Sequence, residues 1–84
     1  MDISRGSLVY SRAGKDKGML FLVLKADGDF VYLTDGDTRR VLKPNKKKLK
    51  HINKTNTVLE LDFENIQDSG VRKALAEYLD IVGR

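Results

Sequence analysis

Apolar residues in this chain gather in short runs separated by turns that carry glycine and aspartate. Leu8-Val9-Tyr10 lies in the first run, and Met19-Leu20-Phe21-Leu22-Val23-Leu24 forms the second. These predict strands over residues 7–12 and about 18–26. The second strand is apolar at every position from Met19 to Leu24, so it must be covered on both faces. One face can point into a barrel interior; the other needs a helix or a partner. Asp27-Gly28 marks a tight hairpin turn, and Phe30-Val31-Tyr32-Leu33 reads as the third strand. Asp35-Gly36 marks another turn. Arg39-Arg40-Val41-Leu42 reads as the fourth strand, stopped by Pro44, which cannot donate to a ladder. After Asn45-Lys46-Lys47-Lys48, a short fifth strand is predicted through Leu49, His51 and Ile52. Short strands joined by tight turns point to a small β-barrel.

The tail has a different period. Val71, Ala74, Leu75, Tyr78, Leu79 and Val82 recur as one face of a helix. The pattern predicts a helix over about 69–82, capped by Asp68 or Ser69 and ended by Gly83. That helix is the expected cover for the outer face of the second strand. Val58-Leu59-Glu60-Leu61-Asp62-Phe63 alternates loosely and is expected to be extended as it leads into the helix.

Composition narrows the class. The chain has 84 residues, 40% hydrophobic and 33% charged, which suits one small domain rather than a disordered segment. With no cysteine, it has neither disulfides nor a thiolate metal site. Met1-Asp2-Ile3-Ser4-Arg5 lacks the apolar region of a signal peptide, and the longest apolar run is far short of a membrane span. A cytoplasmic location and no membrane association are therefore expected.

Charge changes the picture most. Net charge is +4, but residues 39–54 hold eight Lys/Arg and no acid, out of sixteen Lys/Arg in the chain. Both flanking segments contain more acids than bases. Such a local patch is the footprint expected of phosphate recognition. A second basic feature is the turn Gly14-Lys15-Asp16-Lys17-Gly18, where glycines allow close backbone approach and lysines supply charge. It is not a nucleotide-binding P-loop, because three residues separate the glycines and a strand follows.

No catalytic constellation emerges, and no enzyme activity, metal or other cofactor is expected. The single histidine, His51, reads as a partly exposed strand residue, with stacking on RNA as its other reading. Asp27-Gly28-Asp29 and Asp35-Gly36-Asp37 lack the spacing of a calcium loop and read as turns. Phe21 is expected in the core. Tyr10 and Tyr32 form a candidate exposed pair, but with so few aromatics the expected mode is contact with structured RNA through phosphates and shape.

The segment from Ser7 to about Gly36 resembles a KOW motif: an apolar strand, a glycine-bearing basic loop, and two further strands. Such motifs occur in several ribosomal proteins and in a family of transcription elongation factors. The Pro44–Ile52 basic stretch and C-terminal helix make the chain similar to archaeal and eukaryotic large-subunit KOW ribosomal proteins, of which small bacterial homologues exist. The resemblance implies a mainly β, five-stranded SH3-like barrel over residues 1–56 with a helical extension over 57–84. It implies a non-catalytic RNA-binding module acting on ribosomal RNA or the ribosome. The expected contacts are Arg12, Gly14, Lys15, Lys17, Gly18, Arg39, Arg40, Lys46, Lys47, Lys48 and Lys50. Met19-Leu20-Phe21 departs from the family, whose basic loop is usually followed by more Lys/Arg; Arg39–Lys54 is expected to supply that charge. The alternative is a protein-interaction barrel of the transcription or translation machinery, with ribosomal or transcription proteins as partners.

Overall fold

A computed structural model describes residues 3–83. Five strands form one antiparallel sheet: β1 (Ser7–Ser11), β2 (Leu20–Asp27), β3 (Phe30–Thr34), β4 (Asn45–Lys48) and β5 (Ile52–Val58). A short 3₁₀ turn over Leu49–His51 joins β4 to β5, and helix α1 spans Asp68–Val82. The spatial order is β4-β3-β2-β1-β5. Among the described residues no ladder joins β4 to β5, so the sheet does not close.

β2 organises the molecule. Its register against β3 shifts between Val23 and Lys25, leaving Leu24 as an extra residue. A bulge of this kind bends the strand and increases its twist. The two ends of β2 therefore serve different neighbours: Leu20–Leu22 pair with β1, and Leu22–Asp27 pair with β3. The uniformly apolar run expected to need two covers has them. Phe21 and Val23 face one core with Ile3, Val9, Val31, Leu33 and Ile52. Leu20 and Leu22 face a second core with Leu8, Val71 and Leu75, under α1. Each leucine buried there contributes about 1.5–3 kcal/mol. The helix is thus the cover that the sequence pattern called for.

The expected fourth strand is not formed. Residues 39–42 lie in a loop, and β4 is Asn45–Lys48, paired with Phe30–Leu33. The carbonyl of Arg39 is already occupied, accepting bonds from the Thr34 hydroxyl (2.5 Å) and from the Asp35 and Gly36 amides. The Val41 amide donates to an Asp68 carboxylate oxygen at 2.8 Å, so the loop docks on the start of α1 rather than on β3. Gly36 makes that docking possible. Its φ is +75°, and a Cβ there would overlap the Asp68 carbonyl oxygen. The Arg72 guanidinium donates to the Gly36 carbonyl at 2.6 Å and holds the two together.

Three lysines are unusual strand formers, but β4 is an edge, where lysine discourages pairing with another chain. The expected fifth strand is replaced through Leu49–His51 by the 3₁₀ turn and begins only at Ile52. Helix α1 is preceded by Gln67, with no side-chain cap. Asp68 does not cap it as expected, because its carboxylate serves the Val41 amide; it still places negative charge in the first helical turn, which the helix dipole favours. Val58 ends β5, residues 59–62 belong to no helix or ladder, and a turn follows at 63–65.

Candidate nucleic-acid interface

The Gly14–Gly18 loop is built around Asp16, which turns inward. Gly14 and Gly18 adopt φ of +82° and +89°. The Gly18 amide donates to the Ser11 carbonyl at 2.8 Å, closing the loop on the end of β1. Asp16 is buried, whereas Lys15 and Lys17 are exposed on either side of it. The loop therefore presents two cations and conceals its one acid.

Concealing Asp16 requires a counterion, and Lys47 supplies it. Lys47 stands opposite Val31 across the β3–β4 ladder, so it points to the inner face. Its Nζ lies 2.5 Å from Asp16 Oδ1 and also donates to Ser11 Oγ (2.8 Å) and the Ala13 carbonyl (2.9 Å). The two side chains are only 12% and 9% exposed. Ser11 Oγ donates to the same carboxylate oxygen at 2.7 Å, and Asn45 Nδ2 reaches the other at 3.3 Å. Burial pushes the Asp16 carboxyl up, but hydrogen bonds from Lys47 and Ser11, with the lysine charge, outweigh it and hold the group below its ordinary value. Lys47, expected among the RNA contacts, has all three donors engaged within the protein as the counterion of Asp16.

The remaining cations fall into a connected arrangement. Arg39, Arg40 and Lys43 surround a recess of about 320 Å³ that ends at Asn45. Asn45 also reaches Asp16, so this recess adjoins the Gly14–Gly18 loop. The turn that carries Thr38 and Arg39 is held by Asp35, which accepts from the amides of Asp37 and Arg39 and from the Thr38 hydroxyl. Burial raises the Asp35 carboxyl, but these donors hold it net below its ordinary value. Arg12 stands where its amide donates to the His51 carbonyl at 2.9 Å, beside the same loop. From Asn45 the stripe continues along the edge of the sheet through Lys46 and Lys48 to Lys50, all exposed. Lys54, by contrast, lies on β5 at the opposite edge.

Alternation along β3 and β4 creates a surface that the sequence reading missed. Val31 and Leu33 enter the core, so Phe30 and Tyr32 stand on the outer face with Lys46 and Lys48. Helix α1 covers the other end of that face, over Leu8, Leu20 and Leu22. Two cross-strand rows remain uncovered by it: Lys25-Tyr32-Lys46 and Asp27-Phe30-Lys48. Lys46 Nζ lies 4.3 Å from the Phe30 ring centre, and Lys25 Nζ lies 5.8 Å from that of Tyr32. The expected Tyr10–Tyr32 pair does not form a platform. Tyr10 packs against the helix-side core, and their partners on β2, Leu20 and Lys25, are five positions apart, about 16 Å along a strand. Among the described residues no cluster of three His, Asp or Glu side chains is placed to hold a metal ion, and no helix is long and apolar enough to cross a membrane.

No protein-family model matches the chain, and no curated protein matches it in sequence.

Proposed function

We propose that this protein is a cytoplasmic, non-catalytic RNA-binding module, an SH3-like KOW barrel whose target is ribosomal RNA. The observation that carries the proposal is the row of cations on adjoining elements. It runs from Lys15 and Lys17, through Arg39, Arg40 and Lys43, along the β4 edge to Lys50, and the one acid inside the first loop is neutralised by Lys47. A stripe of exposed cations on a fixed backbone suits phosphates, with the arginines able to engage them bidentately.

Fluorescence anisotropy with RNA over a range of salt concentrations tests this. Five or so phosphate contacts give a log–log slope of about −3.5 on single strands or about −4.5 on a duplex, taking per-contact values for nucleic acids generally. Lys46→Glu with Lys48→Glu should weaken binding to all RNA sequences alike and flatten that slope. Lys47 is left intact, so the fold is preserved. Salt-insensitive binding, or wild-type affinity after the double reversal, would overturn the proposal.

A second reading, a protein-interaction domain, draws on one observation at the other end of the molecule. A groove of about 360 Å³ lies between residues 57–61 and α1, with Leu61, Ile81 and Val82 exposed along it and Glu60 and Glu77 among its lining. Its occupant on charge grounds is a polypeptide segment with apolar side chains flanked by lysine or arginine. Retention of a defined polypeptide after nuclease treatment, lost on Ile81→Glu, would favour this reading.

A further inference from the structure

We infer that the uncovered outer face of β3 and β4 is a stacking platform for unpaired nucleotides, with Phe30 and Tyr32 as its two rings. The inference rests on the RNA-binding reading and specifies the form of RNA: a single-stranded segment. It differs from the phosphate-and-shape mode expected from composition, because the structure brings together aromatics and cations that the sequence does not.

Four observations converge. The two rings lie two residues apart on one face of one strand, about 6.6 Å, which is the scale of one extended nucleotide step. Both are half-buried and lie outside the two hydrophobic cores, so neither is consumed by packing. Cations adjoin each ring: Lys25 and Lys46 lie on either side of Tyr32, and Lys48 lies beside Phe30, across from Asp27, with Lys46 also over the Phe30 ring. Finally, Phe30 lines a recess of about 420 Å³ with Lys48, Lys50 and Asp29, large enough for a nucleobase.

The chemistry separates ligand forms. Bases in an A-form duplex are stacked on each other and cannot lie on a protein ring, whereas unpaired bases can. The faces now visited by lysine ammonium groups are not lost to the ligand. Stacking of a base on an aromatic ring is stronger than an exposed ammonium–ring contact, and a displaced lysine finds a phosphate beside it. Asp29 at the recess disfavours a phosphate there and accepts instead from an exocyclic amine or a ribose hydroxyl. The backbone therefore runs along Lys46 and Lys48, and the bases turn inward onto β3. Every base has a π-face, so the platform carries little sequence preference.

The test compares a mixed-sequence 12-nucleotide RNA with a blunt RNA duplex of the same length, by anisotropy at fixed salt. Wild type should bind the single strand more tightly. Phe30→Leu with Tyr32→Leu, which keeps apolar cover and every lysine, should lose roughly tenfold or more on the single strand while duplex affinity stays within twofold. Wild-type protein crosslinked to 4-thiouridine RNA should carry its adducts on the peptide containing Phe30 and Tyr32, a readout independent of whether the double variant folds. Unchanged single-strand affinity in that variant, or crosslinks confined to residues 12–18 and 39–43, overturns the platform while leaving RNA binding in place. Failure of wild type to bind either RNA overturns the RNA-binding reading itself, and the platform with it.

Discussion

Replacing Asp16 with asparagine removes the charge from the best-defined ionic contact of the molecule and keeps its shape. Lys47 would be left about nine-tenths buried with no countercharge, its acceptors reduced to the neutral Ser11 Oγ, the Ala13 carbonyl and the new amide oxygen. Breaking a buried pair by removing one partner costs about 3–5 kcal/mol, against less than about 1 kcal/mol for an exposed pair. A chain of 84 residues has a total stability on the order of 4–13 kcal/mol, so the loss is a large share of it. At roughly 4–8 °C per kcal/mol for a domain this size, Asp16→Asn should melt at least about 12 °C lower. The effect also has a sign in pH. The Asp16 carboxyl is held below its ordinary value in the folded state, so its contribution is fully present above the unfolded aspartate value of about 3.9 and fades as pH falls through the folded one. Urea unfolding at pH 7, 4 and 3 should therefore show a wild-type advantage that shrinks only in the most acidic samples. Lys47→Met completes a double-mutant cycle, with an expected coupling above about 1.5 kcal/mol. A melting temperature within about 3 °C of wild type, or coupling no larger than that of an exposed pair, would refute the assignment of Lys47 as a buried structural counterion.

Other outcomes follow from the packing. Gly36→Ala should cost at least about 2 kcal/mol in chemical denaturation, because an alanine at positive φ is strained and its methyl group meets the Asp68 carbonyl; a neutral result would mean that the loop is not docked on α1. Leu75→Ala should cost about 2–5 kcal/mol, with tyrosine fluorescence and far-ultraviolet dichroism still reporting one transition; a separate early loss of helix signal would show that α1 and the sheet are not one cooperative unit. Lys15→Glu with Lys17→Glu should weaken RNA binding in anisotropy while leaving the melting temperature within a few degrees, since both side chains are exposed; loss of stability instead would place these lysines in the fold rather than at the interface.

Elements whose burial has a period are written in the chain itself. β1, β2, the Asp27-Gly28 hairpin, β3 and α1 were all legible, because apolar residues recur where each element meets a core. The demand of β2 for two covers was legible too, since a strand apolar on both faces must be covered on both. Tertiary structure decided what has no such signature. Val41 and Leu42 look more strand-like than Asn45–Lys48, yet the edge position beside β3 went to the lysines. The Arg39 amide and carbonyl were already taken by the Asp35 turn, and the Val41 amide by Asp68. Register then divided the lysines: Lys46 and Lys48 went outward, and Lys47 went inward to Asp16. Register likewise divided four consecutive apolar residues of β3, sending Val31 and Leu33 to the core and Phe30 and Tyr32 to an open face. A local pattern records how much of a segment is apolar. Which side chain reaches the surface depends on the partner strand and the reach of the covering helix, and both come from residues distant in the chain.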